Sequence, residues 1–332
     1  MLRIAMLSFA HVHADGYANH VVNHPEAHLE MIWEDDAGRA KAASEKFHTP
    51  VSDNLEEVLS NPAVDAVVIN AYTSQHRDLM LAAARHQKHI FTEKALTISG
   101  QEANEVVDAV NQSGIKFMIS LPSRTRSENL FMKQVLDKGW IGKVTLMRAR
   151  VAHMASLDHW FHDGSAWFAE EKLAGGGALF DLGCHTVDVM RWFMGEPKSV
   201  ISKIQQFSDA YPIDDNSAIV VEFKNGGLGI LDTSWVHRAG PNPIEIYGTD
   251  GFVGRDFNNQ LMLTSTQLQP EGVQGVIRPT KLPDALPMPM DQWISAILHG
   301  TPMTITVEDG RNLTQLLEAA YRSAREKREV TF

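Results

Sequence analysis

The sequence predicts an α/β protein in two parts: a doubly wound parallel sheet over residues 1–121, then an α+β domain over 122–332 with an open, mostly antiparallel sheet. Three observations carry this. The first 120 residues alternate short β-branched runs with helical periodicity, the pattern of a parallel sheet with right-handed crossovers. The run "VDAVVIN" (64–70) is apolar without alternation, as a strand covered on both faces must be. Beyond Leu121 the strand-like runs lengthen, and "KNGG" supplies a hairpin turn.

In order, "RIAML" opens the chain as a strand, a helix-like stretch follows, and "LEMIWE" (29–34) is the second strand. "AGRAKAASEKF" and "LEEVLS" are helices, "VDAVVIN" a strand, "HRDLMLAAARH" a helix, "KHIFTE" a strand, "GQEANEVVDAVNQSG" a helix and "IKFMIS" a strand. The second part begins with two helical stretches, "NLFMKQVLDKG" and "GALFDLGCHTVDVMRWFMG". Its strands are "KVTLMRARVAH", "SVISKIQQF", "SAIVVEF", "LGILDTSWVH" and "IEIYGTDGFVGR". Residues 266–288, rich in Pro and Gln, read as an irregular loop, and "EDGRNLTQLLEAAYRSAREK" as a closing amphipathic helix. Such a pairing of domains implies a cleft beyond the carboxyl ends of the parallel strands.

Bulk composition narrows the function. With 332 residues, 44% hydrophobic and 21% charged, the chain is an ordinary globular protein. Thirty basic against 41 acidic residues, a formal charge of -11 and no long basic run argue against a nucleic-acid partner. No apolar run reaches the roughly 18 residues of a membrane span, and no signal-peptide pattern opens the chain; a cytoplasmic location is the expectation. One cysteine, Cys184, excludes an internal disulfide and reads as a buried small hydrophobe.

The candidate site residues lie at strand ends. "IAMLSFAHVHADGY" occupies the place of a G-x-G-x-x-G dinucleotide fingerprint, but Ser8, Ala10 and His13 stand at the glycine positions. Ala10 still allows close approach, Ser8 makes the turn at some strain, and His13 departs from close helix packing. At the end of the second strand Glu34, 26 residues after Ser8, is placed either to accept both hydroxyls of an adenosine ribose, favouring NAD over NADP, or, with Asp35 and Asp36, to form a solvated turn. Lys94, in "TEKA", stands at a strand end beside Glu93, where burial would make it a proton donor or acceptor; otherwise it is a surface charge. In "AGGGALFDLGCHTVD", Gly175, Gly176 and Gly177 let something approach the backbone at a helix start. Asp181, His185 and Asp188 follow on one helical face, either a histidine oriented for acid/base work or a cap and a core histidine. Fifteen histidines include His11, His13, His76, His153, His159, His162 and His237, so a metal site is a hypothesis, though no pair has a zinc-motif spacing and no metal is assigned. Trp160, Phe161, Trp167 and Phe168 suit either core packing or stacking on a sugar-like ring.

Together these stations resemble the Gfo/Idh/MocA family of NAD(P)-dependent sugar and cyclitol oxidoreductases, along nearly the whole chain. "VDAVVINAYTSQH" resembles its strand and loop ending in N/T-S-x-H, "HIFTEKAL" its E-K-P strand end, and "AGGGALFDLGCHTVDVMRWFMG" its G-G-G-x-x-x-D-x-G-x-H-x-x-D signature. "SWVH" and "IEIYGTDG" resemble its C-terminal sheet. The resemblance implies a Rossmann first domain that binds NAD in preference to NADP. It implies Lys94 as the catalytic lysine, with Asp181 and His185 completing a proton-relay and substrate-orienting set. Ser8, Phe9, Ala10, His11, His13, Glu34 and Asp35 would hold the adenosine and pyrophosphate. Thr73, Ser74, His76, Glu93 and Lys94 would line the nicotinamide half, with Arg124 close to cofactor or substrate. Departures from the family are the three lost glycines and Ala95 in place of the proline after E-K.

The expected activity is hydride transfer between NAD(H) and a secondary alcohol or ketone of a sugar, cyclitol or related polyol. Lys94, His153, Trp160, Trp167, Asp181, His185 and His237 would contact the substrate. The alternative is an NAD-dependent glycosidase that oxidises, eliminates, hydrates and reduces again. A third reading is a non-catalytic sensor or a metal-dependent enzyme without dinucleotide, resting on the lost glycines alone. A homodimer or homotetramer through the open sheet is expected, because that face would be costly to expose.

Overall fold

The computed structural model describes residues 1–256 and 258–332. The chain forms two compact units: Met1–Ser120 with Phe161–Gly175 and Met288–Gln315, and Leu121–Trp160 with Gly176–Pro287 and Leu316–Phe332.

The first unit is built on six strands: β1 (Leu2–Leu7), β2 (Ala27–Trp33), β3 (Val51–Ser52), β4 (Ala66–Ile69), β5 (His89–Thr92) and β6 (Phe117–Ile119). All are parallel, in the order β3-β2-β1-β4-β5-β6. Helices α1 (Ala14–Asn23), α2 (Ala37–Phe47), α3 (Leu55–Ser60), α4 (His76–Arg85) and α5 (Gly100–Ser113) connect them. Helices on both faces explain why Ile4 to Leu7 of β1 and all of β4 have no exposed surface, and hence why these strands read as unbroken apolar runs. Local chemistry fixes the helix ends: Asp36 caps α2 through Arg39 N, Asn54 caps α3, Ser99 caps α5, and Gly114 at φ 69° ends α5. The strand order reverses between β1 and β4, the switch point where open α/β sheets bind ligands.

Two later segments belong to this unit. Helix Pro289–His299, not expected from the sequence, buries Trp293 against Phe91 with ring centroids 5.8 Å apart, and the indole N–H donates to Lys116 O. Truncating such a buried aromatic costs about 3–5 kcal/mol. Residues 161–175 bring in Trp167, Phe168 and Ala174, which pack with Tyr72, Phe161 and Leu173.

The second unit starts with α6 (Ser127–Asp137). Its sheet comprises β7 (Val144–Ala152), β8 (Pro197–Gln205), β9 (Asn216–Phe223), β10 (Leu228–Ser234), β11 (Ile244–Gly248), β12 (Gly251–Arg255), β13 (Leu261–Ser265) and β14 (Val330–Thr331). The order is β13-β12-β11-β7-β10-β9-β8-β14, antiparallel except for the central β7·β10 pair. Helix Cys184–Met194 covers one face and packs closely on it: Met190 Sδ would lie 2.5 Å from a Cβ at Gly229, so a larger residue there would displace the methionine side chain. On the other face Ile201, Val220 and Ile230 are exposed and adjacent across β8, β9 and β10, and exposed Leu228 pairs with Leu146. The stretch read as one helix from Gly177 opens instead with a π-helical turn, Leu179–Gly183. The expected loop 266–288 contains a 3-10 turn, Thr266–Glu271, and Ile277 bridges to Leu263. The final helix, Val307–Glu326, contributes its first part to the first unit and the rest to the second. Among the described residues no helix is long and apolar enough to cross a membrane.

Candidate active site

The turn after β1 keeps the path of a glycine turn without the glycine. Ser8 sits at φ 71°, a left-handed conformation that costs a non-glycine residue about 1–2 kcal/mol. Four hydrogen bonds on one carboxylate compensate. Glu34, at the end of β2 and without exposed side-chain surface, accepts from Ser8 Oγ (3.2 Å) and Phe9 N (2.6 Å) on Oε2, and from Asp36 N (3.1 Å) and Arg39 Nη2 (2.7 Å) on Oε1. Ser8 Oγ in turn accepts from Ala10 N at 3.2 Å.

The expectation that Glu34 accepts the ribose hydroxyls therefore needs correction: its lone pairs are taken and it faces no solvent. Asp35 is the half-exposed carboxylate here, accepting from Arg39 and from Gln75 Nε2. Arg39, which the sequence reading passed over, lies over the Tyr72 ring and donates to its hydroxyl; burial opposes its charge, but Glu34 and Tyr72 raise its pKa overall.

A cavity of about 380 Å³ adjoins this turn, lined among others by Phe9, Ala10, His11 and Val12, by Arg39 and Lys46 of α2, and by Ser165. The N-terminus of α1, the methyl-sized Ala10 and two nearby cations fit a dinucleotide pyrophosphate. Asn70, whose carbonyl accepts from His11 N, carries a buried carboxamide with no partner among the described residues, a further polar group at the switch point. Thr73, buried, and Ser74, half-buried, form the 3-10 turn after β4.

At the carboxyl end of β5 lies a buried charged cluster. Lys94 is 7% exposed and its neighbour Glu93 1%. Glu93 Oε1 accepts from Tyr17 OH (2.6 Å) and His13 Nδ1 (2.9 Å), and Oε2 from Lys94 N (3.0 Å). Burial pushes the Glu93 carboxyl up, but His11, His13 and Lys94 outweigh it and hold it well below the usual range. Tyr17 is driven up by burial and by Glu93; its proton goes to Glu93, so Ser120 Oγ, 2.7 Å away, donates to the phenol oxygen. Tyr17 stands one turn after His13 on α1, the spacing that could have identified it from the sequence.

His11, His13 and Glu93 offer ligand atoms within 4.8 Å of one another. However, His13 N–H donates to His11 Nδ1 (3.2 Å), which fixes the proton on Nε2, 3.9 Å from Glu93 Oε2. A metal at Nε2 would move that proton to Nδ1 and break the bond from His13, so the trio is arranged as a hydrogen-bonded cluster.

The Lys94–Ala95 peptide is cis. His76, expected to line the cofactor, is 1% exposed; its Nδ1 lies 3.0 Å from Ala95 O and 3.3 Å from Leu96 O, and its Nε2 3.3 Å from Ala71 O. Trp167 is also more enclosed than expected: it stacks on Phe168 at 4.0 Å and donates its indole N–H to Ala10 O, so it supports the turn and offers no open face.

In the second unit Gly176 and Gly177 make room for the protein's own groups. A Cβ on Gly177 would fall 1.9 Å from Asp214 O, and one on Gly176 2.4 Å from Tyr321 Oη. Asp214 takes the helix start, accepting from Gly177 N (2.7 Å), Leu179 N (3.3 Å) and Tyr321 OH (2.9 Å). The sequence required close approach here but did not say by what. Burial raises the pKa of Asp214, against those three donors, and burial and Asp214 raise that of Tyr321.

Asp181, in the π turn, and His185, in the helix after it, are half-buried. Asp188 is enclosed and forms a two-pronged pair with Arg124: Nε to Oδ2 3.0 Å, Nη2 to Oδ1 2.7 Å. Arg124, expected near cofactor or substrate, thus holds α6's preceding turn to the helix.

At the carboxyl ends of β7 and β10, the His153 ring packs at a tilt of 31° against exposed Trp160 (centroids 4.8 Å apart), and His237 N donates to His153 O. Ala155 N–H donates to His153 Nδ1 and Arg150 Nη2 to His237 Nδ1, so each ring carries its proton on Nε2 when neutral. Burial lowers the pKa of His153, partly opposed by Asp181.

Residues 3–121 match the model of an oxidoreductase family with an NAD-binding Rossmann fold, and 130–253 that of the GFO/IDH/MocA C-terminal domain. Myo-inositol 2-dehydrogenase of Thermotoga maritima is 24% identical over 288 residues, 82% of this chain and 81% of that protein. The scyllo-inositol 2-dehydrogenase (NAD(+)) of Bacillus subtilis is 27% identical over 262 residues, 76% and 74%. An oxidoreductase from Agrobacterium radiobacter, solved with NAD+, L-tartaric acid and magnesium, superposes with a TM-score of 0.82 at 21% identity, covering 99% of this chain and 98% of that one.

Proposed function

The chain belongs to the GFO/IDH/MocA family of oxidoreductases, and we propose that within it the protein transfers a hydride between NAD(H) and a secondary alcohol or ketone of a sugar, cyclitol or related polyol. Its first domain is an NAD-binding Rossmann domain. Inositol dehydrogenases among its relatives support the substrate class.

The observation that carries the reading is Lys94: an enclosed amine at the carboxyl end of β5, beside a carboxylate that its own charge helps keep ionised. Bound NAD would supply the hydride acceptor or donor. Phe9 to His13 and the N-terminus of α1 would hold its pyrophosphate, with Asp35 at the ribose favouring NAD over NADP. Lys94 exchanges the proton of the reacting oxygen, His185 shares that proton, and Asp181 orients it. Trp160 offers a face for the sugar ring, and His153 and His237 offer Nε2–H donors to its hydroxyls. The lone cysteine and the composition support a cytoplasmic enzyme, and the row Ile201, Val220, Ile230 supports an oligomer through that sheet face.

The test is a panel of inositols and sugars with NAD, followed by absorbance of NADH. Turnover that disappears in Lys94→Met supports the reading. Release of an aglycone from a glycoside without net NADH assigns the protein to the glycosidase chemistry instead.

A further inference from the structure

We propose that His76 is a positioning residue for Lys94: its Nδ1–H, shared between the carbonyls of Ala95 and Leu96, fixes the turn that carries the amine. The proposal rests on the reading of Lys94 as the proton-exchanging group. His76 is the first residue of α4, anchored by the strand and 3-10 turn before it. It reaches 19 residues along the chain to Ala95, from a fully enclosed position.

Three facts assign the proton to Nδ1. Burial lowers the pKa of His76, against the carbonyls of Ala95, Ala71 and Leu96 and the charge of Glu93, so the ring carries one proton at neutral pH. Nδ1 faces two carbonyls at 3.0 and 3.3 Å, whereas Nε2 faces one at 3.3 Å. A single N–H is best spent where two acceptors converge.

On the other side of the lysine, Glu93 Oε2 takes the Lys94 amide N–H at 3.0 Å. Its carboxylate is itself fixed by Tyr17 and His13. The main chain around Lys94 is thus held before it by a carboxylate and after it by an imidazole. A misplacement of about 1 Å in such a group costs roughly 100-fold in rate.

The two nitrogens have different mimics: an asparagine amide nitrogen stands near Nδ1, a glutamine one near Nε2. His76→Asn and His76→Gln are therefore compared with wild type by thermal melting, by kcat and KM on the best polyol, and by the pH midpoint of Lys94 acetylation with acetic anhydride, read by mass spectrometry without substrate. The expected result is a kcat within about tenfold of wild type for Asn, as for loss of one weak hydrogen bond, and a drop of about 100-fold for Gln. KM should change little in either, and the Lys94 midpoint should move only in Gln. Equal losses in the two variants, in folding or in rate, mean that His76 only fills space and overturn the proposal, as does rescue by Gln alone, which would place the tether at Ala71. Should wild type oxidise no polyol, the proposed function fails, while the acetylation midpoints still decide on the clamp.

Discussion

Replacing Glu34 by Gln tests how a dinucleotide turn survives without its first glycine. Glutamine has the same shape but presents an NH2 group to two of the four donors now bonded to the carboxylate, which belong to Ser8, Phe9, Asp36 and Arg39. Each charge-assisted bond lost in this enclosed place is worth about 1.5–3 kcal/mol, and breaking a buried pair costs about 3–5 kcal/mol. Because the Arg39 side chain keeps 21% exposure and can rehydrate, about 3 kcal/mol is the working figure. At roughly 2–4 °C per kcal/mol, the melting temperature falls by about 6 °C or more. Ser8 then holds φ 71° unsupported, and its strain of about 1–2 kcal/mol weakens any ligand needing that turn by roughly tenfold. NADH and NADPH should weaken together, by nicotinamide fluorescence titration, with their ratio kept. Ser8→Gly should be near neutral alone, losing the Oγ bonds while relieving strain, but should restore about 1 kcal/mol and most of the affinity in the Glu34→Gln background. An unchanged melting temperature together with a switch toward NADPH would refute this, because Glu34 would then be reading the ribose and not holding the turn.

Four further outcomes are expected. Asp214 has a raised folded pKa, so the folded state keeps its proton longer; the stability this gives is full at acid pH and is lost as pH rises from the ordinary aspartate range through the raised value. Melting temperatures against pH should show that decline in wild type and not in Asp214→Asn. Glu93 has the opposite sign: stability present above the ordinary glutamate range is lost as pH falls toward its depressed value, so acid melts of Glu93→Gln should lack that slope, and Tyr17→Phe should cost about 1.5–3 kcal/mol at neutral pH by removing a bond to a charge. Ile230→Glu, in the exposed row with Ile201 and Val220, should convert an oligomer to monomer in light scattering after gel filtration; an unchanged mass removes this face from the interface.

The first unit was legible because buried parallel strands leave a contiguous signal: "VDAVVIN" contains β4 and "KHIFTE" contains β5. Helix Pro289–His299 was hidden by the Pro and Met residues before it, although Pro289 at its first turn and the spacing of Met290, Trp293 and Ile294 were available signals. The lost glycine fingerprint suggested a damaged turn because its repair comes from Glu34, 26 residues away, which no local pattern reveals. Likewise, "GGG" announced a close approach, but the approaching group, Asp214, lies 37 residues on. Candidate residues were found by type and station; what each side chain touches depended on long-range pairing, as at Arg124 with Asp188.

The central claim is that a glycine-free turn still serves an NAD-dependent oxidoreductase, and titration of the purified protein with NADH and NADPH, after checking for nucleotide already bound, tests it most directly. Micromolar NADH binding, weaker NADPH binding and a roughly tenfold weakening of both in Glu34→Gln are the expected results. Binding of neither nucleotide, with none co-purifying, would contradict it.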